Sequence, residues 1–228
     1  MLAAFCRQGF TMALAIFDLD NTLLDGDSDH AWGEFVSEQG IVDGDDFQRQ
    51  NDLFYQQYQQ GQLDIDAYLH FALAPLKDQD PDVLKAWHQQ FMATKIAPML
   101  QAKAEQLVNK HRAQGDYLLI MTSTNSFVTA PIAQLLGVDE ILASDGEIVN
   151  GRYTGAPCGI PCFQEGKVIR LNQWLENNEH NLEGAYFYSD SHNDLPLLKI
   201  VDNPVAVDPD ETLEAFARDK GWPILSLR

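Results

Sequence analysis

Residues 14–24 read LAIFDLDNTLL. Four apolar residues in a row, too few for a helix, fit a short strand buried on both faces inside a parallel sheet. Two aspartates, Asp18 and Asp20, follow it directly. Carboxylates this close repel each other where water is excluded, so the pair requires a cation or a shared proton. The rest of the chain has to supply one of them.

Strand-like runs recur downstream at YLLIM (117–121), EILAS (140–144), AYFYS (185–189) and PVAV (204–207). Most are separated by helical patterns, which predicts an α/β fold with a doubly wound, Rossmann-like parallel-sheet core. About a hundred residues lie between the first two strands, far more than one crossover helix requires. That gap contains DHAWGEFVSEQG, DDFQRQNDLFYQQYQQG, DIDAYLHFALAPL and DPDVLKAWHQQFM, each opening near an aspartate and carrying apolar residues at helical spacing. A small all-helical cap at 26–96 is therefore expected, inserted after the first strand into a core built from 12–25 and 97–228. PMLQAKAEQLVNKHRAQG then returns to the core as a helix, with Pro98 near its start and Gly115 past its end. Asn150-Gly151 predicts a two-residue hairpin turn. Residues 1–11 lack periodicity and are expected to be an N-terminal extension, with Met12 a second plausible translation start.

The 228 residues, 45% of them hydrophobic, suffice for a sizeable core in one or two domains. No apolar run approaches the ~18 residues of a membrane span, and LAAFC is too short for a signal-peptide core. A cytoplasmic protein that neither enters a membrane nor binds nucleic acid is expected. The net charge of −19 supports the second point, because phosphate backbones call for basic patches. Cys6, Cys158 and Cys162 are odd in number and read as reduced thiols. The same negative charge repels small phosphorylated ligands from a distance, so any phosphate chemistry here must be locally cationic.

In open α/β sheets, ligands bind beyond the carboxyl ends of the strands. Asp18 and Asp20 occupy such an end. So do Thr122, Ser123 and Thr124 after YLLIM, and Asp190, Ser191, Asn193 and Asp194 after AYFYS. Lys167 opens the helical segment KVIRLNQWLENN. Each has a plainer reading: Asp18 as a turn residue, Thr122–Ser126 as helix-capping hydroxyls, Lys167 as a solvated surface lysine. The aromatics Trp32, Phe35, Phe54, Tyr55 and Tyr58 read mainly as cap core.

Taken together, DLDNTLL, IMTS, EGK and SDSHNDLPLL resemble, in order, the motifs of the haloacid dehalogenase superfamily, phosphoserine-phosphatase-like group with a helical cap. Asn21 stands where that family commonly has Gly, and Thr122 where its phosphoserine phosphatases usually have Ser. The resemblance implies a phosphomonoesterase. Asp18 would attack phosphorus and become an aspartyl-phosphate. Mg2+ would be held by Asp18, Asp190 and the Asp20 main-chain carbonyl. Asp20 would serve as acid and then base. Thr122, Ser123 and Lys167 would hold phosphoryl oxygens, Asp194 would orient Lys167 or a metal-bound water, and Asn193 would touch the substrate. Rival readings are a phosphotransferase of the same superfamily and, more remotely, a non-catalytic phosphoacceptor or binding protein.

The substrate is expected to be a small phosphorylated metabolite selected by the cap. Between 26 and 96, thirteen acidic residues face four basic ones, Arg49, Lys77, Lys85 and Lys95, which favours a cationic remainder. Asp27 and Asp29 are candidate ammonium ligands. An amino alcohol phosphate such as histidinol phosphate fits this better than phosphoserine, whose carboxylate calls for an arginine.

Overall fold

A computed structural model describes residues 12–228; the expected N-terminal extension and Cys6 lie outside the described residues. The central strand β1, Leu14–Phe17, is fully buried. It pairs in parallel with β2, Tyr117–Asn125, on one side and with β5, Tyr186–Ser189, on the other. The sheet runs β4-β3-β2-β1-β5-β6-β7. Here β3 is Glu140–Val149, β4 Arg152–Cys158, β6 Asn203–Val207 and β7 Ile224–Leu225. Only the β3–β4 pair is antiparallel. It is the hairpin expected at Asn150-Gly151, both residues taking positive φ as such a turn demands.

Alternation along β1 divides the core between two faces. Ala15 and Phe17 point into a cluster with α5 (Ala102–Gln114) and α6 (Ser126–Leu136). Leu14 and Ile16 point to the other side, against α7 (Glu165–Asn177) and the later helices α8 (Leu195–Leu198) and α9 (Glu211–Lys220). Each large side chain so buried contributes ~1.5–3 kcal/mol. Both faces covered by helices is the doubly wound arrangement the sequence predicts.

Between β1 and β2 the chain forms α1 (Ser28–Glu38), α2 (Gly44–Gln59), α3 (Ile65–Leu73) and α4 (Pro81–Phe91), the helical cap. Asp27, Asp64 and Asp80 cap α1, α3 and α4 with their carboxylates, the start signals expected at those aspartates. Trp32 and Phe35 of α1 pack against Phe91, and Trp32 also meets Phe127 of α6, which ties cap to core. The return differs from expectation. Pro98 lies in a separate 3-10 turn, Ala97–Met99, and α5 starts only at Ala102 after extended residues, one of which, Leu100, bridges back to Leu24. The other end of α5 agrees, with Gly115 in the left-handed conformation. Among the described residues no helix is long and apolar enough to cross a membrane. Cys158 and Cys162 are free thiols.

Candidate active site

The strand register brings the motifs together. Phe17 is paired with both Ile120 and Tyr188, so the residues that follow β1, β2 and β5 emerge side by side at the carboxyl edge of the sheet. The Asp18 N–H is anchored to the Tyr188 carbonyl at 2.9 Å. The chain then folds back on itself, with the Asn21 N–H bonded to the Gly26 carbonyl. Asn21 takes φ 54°, which explains how Asn serves where Gly is common: its short polar side chain tolerates the left-handed region.

Asp18 is 4% exposed and Lys167 2% exposed. Lys167 Nζ lies 2.8 Å from Asp18 Oδ1 and bonds Asp194 on its other side at 2.8 Å. Asp194 also accepts the Ser189 hydroxyl at 2.7 Å. Burial alone lowers a lysine's pKa, but the two carboxylates hold Lys167 well above its usual value. Burial pushes the Asp18 carboxyl up to about 7, Lys167 offsetting only part of that rise.

Asp20 has different partners. Its Oδ1 accepts the main-chain N–H of Ser28, at the start of α1, at 2.6 Å, and its Oδ2 accepts the Thr124 hydroxyl at 2.7 Å. Burial, then the charge of Asp27, push its carboxyl up to about 6. The two aspartates that raised the opening question thus live apart: one sits against a lysine 149 residues away, the other is held by hydroxyl and amide donors, and burial raises both carboxyls, that of Asp18 the more.

Thr122 donates to Asp20 at 3.4 Å and accepts the Thr124 N–H at 3.1 Å, so both hydroxyls converge on Asp20. Thr124 makes the shorter bond, and its place two residues beyond Thr122 on the same strand was the signal for it. Ser123 lines the cavity between core and cap. Thr22 links the two acidic segments, donating to Asp190 Oδ1 at 3.1 Å and accepting the Asp190 N–H at 3.0 Å. Burial, followed by the charges of Asp18 and Asp194, keeps the Asp190 carboxyl well above the usual range.

A hard cation fits this set. Among the described residues no three His, Cys, Asp or Glu side chains converge as metal ligands. Asp18 and Asp190 supply two carboxylates on adjacent strand ends, and the Asp20 main-chain carbonyl, substrate phosphate and water would complete an oxygen-only set suited to Mg2+. Lys167 brings one positive charge to the pair Asp18 and Asp194, while the Asp190 carboxyl accepts the Thr22 hydroxyl. The buried negative charge therefore exceeds what the chain itself compensates.

The cavity walls come from the cap. They include Asp27, Asp29, His30, Asn51, Phe54, Tyr55, Tyr58 and Tyr68, facing Asp18 and Asp20. Asp27 caps α1 by accepting the His30 N–H at 2.8 Å, so it carries a structural duty besides facing the cavity. Asp29 is buried beside Asn125 Nδ2 at 3.5 Å and the Tyr68 hydroxyl. Burial raises the carboxyls of both Asp27 and Asp29, that of Asp29 strongly and with the charge of Asp27 adding to it. His30 bonds Asp52 at 2.9 Å and lies against the Tyr55 ring. Of the aromatics expected in the cap core, Trp32 and Phe35 are there, whereas Tyr55 and Tyr58 face the cavity. His30, Asn51 and Tyr68 were not anticipated; they lie on three helices and share no sequence spacing. Asn193 is 3% exposed and bonds protein groups, its amide donating to the Tyr58 carbonyl at 3.1 Å.

A doubly wound sheet with a helical cap over a lysine-braced cluster of aspartates defines a hydrolase class. A family model described as haloacid dehalogenase-like hydrolase matches residues 15–199, and the chain belongs to that family. Within it, the chain is a phosphoric monoester hydrolase. It is 47% identical over 219 residues to a histidinol-phosphatase of Neisseria meningitidis serogroup C, covering 94% of this chain and 99% of that one. A protein of unknown function from Bordetella pertussis Tohama I shares the fold at a TM-score of 0.90 and 43% identity, covering 96% of this chain and 100% of that one. A substrate-bound phosphoserine phosphatase superposes at a TM-score of 0.69 with 18% identity over 95% of this chain and 93% of that one, a likeness of fold alone.

Proposed function

We propose that the chain is a Mg2+-dependent phosphatase that works through an aspartyl-phosphate on Asp18, with residues 26–96 as the cap that selects an amino alcohol phosphate, histidinol phosphate foremost. The carrying observation is the pair of environments around Asp18 and Asp20. Asp18 lines the cavity with its carboxylate against the Lys167 ammonium, as suits a nucleophile, and Asp20 lines the same cavity with burial lifting its carboxyl toward the working pH, as suits a group that gives and then takes a proton. Bound Mg2+ would screen the repulsion between the Asp18 carboxylate and the incoming phosphate. Asp20 then protonates the leaving alkoxide and, in the second step, takes the proton of the water that hydrolyses the acyl phosphate. Lys167 steadies the phosphoryl oxygens beside Asp18, and Asp194 holds Lys167 in place. The Thr122 and Thr124 hydroxyls orient Asp20.

The choice of substrate rests on the wall opposite. Asp27 and Asp29 offer two carboxylates among tyrosines, the first half-buried and the second buried, and neither lysine nor arginine is among the cavity-lining residues. That wall suits an ammonium and leaves a carboxylate without a partner. Arg49 is 71% exposed and paired with Asp46 on the same helix, away from the cavity. The similarity to the neisserial histidinol-phosphatase points the same way. Phosphate release from histidinol phosphate and from phosphoserine, with Mg2+ and with EDTA, tests the proposal. Higher kcat/KM for phosphoserine would replace it with the phosphoserine phosphatase reading, and phosphate appearing on an acceptor rather than in solution would make the chain a phosphotransferase.

A further inference from the structure

The end of α2 rests on the loop that carries Asp190, and two side chains hold it there. Asn193 Nδ2 donates to the Tyr58 carbonyl at 3.1 Å and reaches Ser191 Oγ at 3.2 Å, while its Oδ1 accepts from Gln164 Nε2 at 2.9 Å. One buried amide therefore joins three segments: the cap, the loop that follows Asp190, and the residue preceding α7, the helix of Lys167. Next to it, Gly61 comes flush against His192. A Cβ at this position would lie 2.7 Å from His192 Nε2, and the backbone has φ +66°. His192 has little room to retreat, because Asp210 Oδ2 accepts both its main-chain N–H at 2.6 Å and its ring Nδ1–H at 2.7 Å.

We propose that Asn193 and His192 form a latch for the cap, with Asn193 as a positioning residue that couples the seated cap to the Lys167 and Asp190 segments. The proposal rests on the roles given above to Lys167 and Asp190. Its physical basis is the cost of an unpaired buried donor. If the Tyr58 carbonyl moves away, the Asn193 amide loses a partner inside the protein, and its remaining bonds to Ser191 and Gln164 carry that loss to the two core segments. His192 supplies the matching surface, a fixed ring edge that accepts only a residue without a side chain.

The test is second-site suppression. Gly61→Asn keeps a residue that tolerates positive φ but adds the Cβ that meets His192. It is expected to lower kcat about tenfold, with a smaller change in KM, while the unfolding temperature stays close to that of the wild type. His192→Ala alone should be milder, and the double variant should regain most of the lost turnover, a coupling that independent sites do not show. Asn193→Asp, which sets a carboxylate against the Tyr58 carbonyl, should lower kcat similarly and speed amide hydrogen exchange in both 58–61 and 190–194. Wild-type turnover in Gly61→Asn, or a loss that His192→Ala does not relieve, overturns the latch. Exchange confined to one of the two segments in Asn193→Asp also overturns it. The underlying assignment is checked apart from these variants: if Asp18→Asn stays active, the site itself is wrong, however the Gly61 variants behave.

Discussion

The two halves of the cavity handle charge in opposite ways. On the core side, Lys167 stands between Asp18 and Asp194 at hydrogen-bond distance, and hydroxyls and amides hold the remaining carboxylates. On the cap side, half-buried Asp27 and buried Asp29 have hydroxyl and amide neighbours and no lysine or arginine in the wall. A half whose carboxylates are fixed in place by a lysine, hydroxyls and amides of the chain itself suits chemistry that must be the same for every substrate. A half that has not is waiting for a cation from outside, and so discriminates between substrates.

The most severe way to break the core half is Asp18→Asn, which keeps size and most hydrogen bonding but removes the nucleophile. Turnover is expected to fall by about 10⁴-fold or more, with Mg2+ present and the fold intact by circular dichroism. Substantial phosphate release by the folded variant would remove Asp18 from the mechanism. Asp20→Asn comes next. Loss of a general acid is typically worth about 10²–10⁴-fold, and it should be felt most with an alkyl phosphate and least with an aryl phosphate, whose leaving oxygen needs little protonation. Equal losses in the chemical step for both esters would refute the role given to Asp20.

The same contrast explains what was legible in the sequence. The core half is written as spacing: Asp20 two positions after Asp18, Asp194 four positions after Asp190, each pair at the end of an apolar run whose strand character is plain. Parallel pairing then does the rest, because the register that joins Phe17 to Ile120 and Tyr188 automatically joins the residues after them. The cap half has no such rule. His30, Asn51 and Tyr68 belong to α1, α2 and α3, and only the packing of those helices decides that they share a wall. Tyr55 and Tyr58 show the ambiguity in one helix, since aromatic spacing alone does not separate a core stripe from a cavity lining. Asn193 makes a contact that was not legible for a related reason. Its motif position is next to the acidic loop, and nothing local announces that a cap carbonyl will fill its donor.

The cap half can be broken more gently. Asp27→Asn retains a good helix cap while removing the charge, and Asp29→Asn does the same without touching a cap. Each is expected to raise KM for histidinol phosphate about ten- to a hundredfold, the range for losing one charge-assisted contact worth ~1.5–3 kcal/mol. The kcat for a small aryl phosphate that lacks an ammonium should change far less. Arg49→Ala should matter little for either substrate, because its guanidinium pairs with Asp46 in solvent. If Arg49→Ala instead cripples the enzyme and phosphoserine is its best substrate, the cap reads a carboxylate and the contrast between the halves dissolves.

The smallest expected effect lies where cap and core meet, and it concerns stability rather than turnover. His88 of α4 is buried edge-on against Phe91 and Phe127, with a ring nitrogen 3.4 Å from the Val128 carbonyl of α6. Burial lowers its pKa below the ordinary 6.5, only partly offset by the Val128 and Phe127 carbonyls. The folded protein therefore keeps this ring neutral at pH values where the unfolded chain protonates it. Below about pH 6.5 the unfolded state binds more protons, so folding stability falls as pH drops, until the folded-state ring also titrates; above that pH the group contributes no slope. His88→Leu removes the titrating group and keeps an apolar side chain at the joint. Urea denaturation of both proteins across pH 5–8 should give a stability difference that is constant at the upper end and shifts in favour of the variant below pH 6.5. Carboxylates elsewhere titrate in both proteins and cancel in the comparison. A difference that stays flat across the whole range would show that His88 is as easily protonated in the fold as out of it, and that the seam between the halves is wetter than the packing of Phe91 and Phe127 implies.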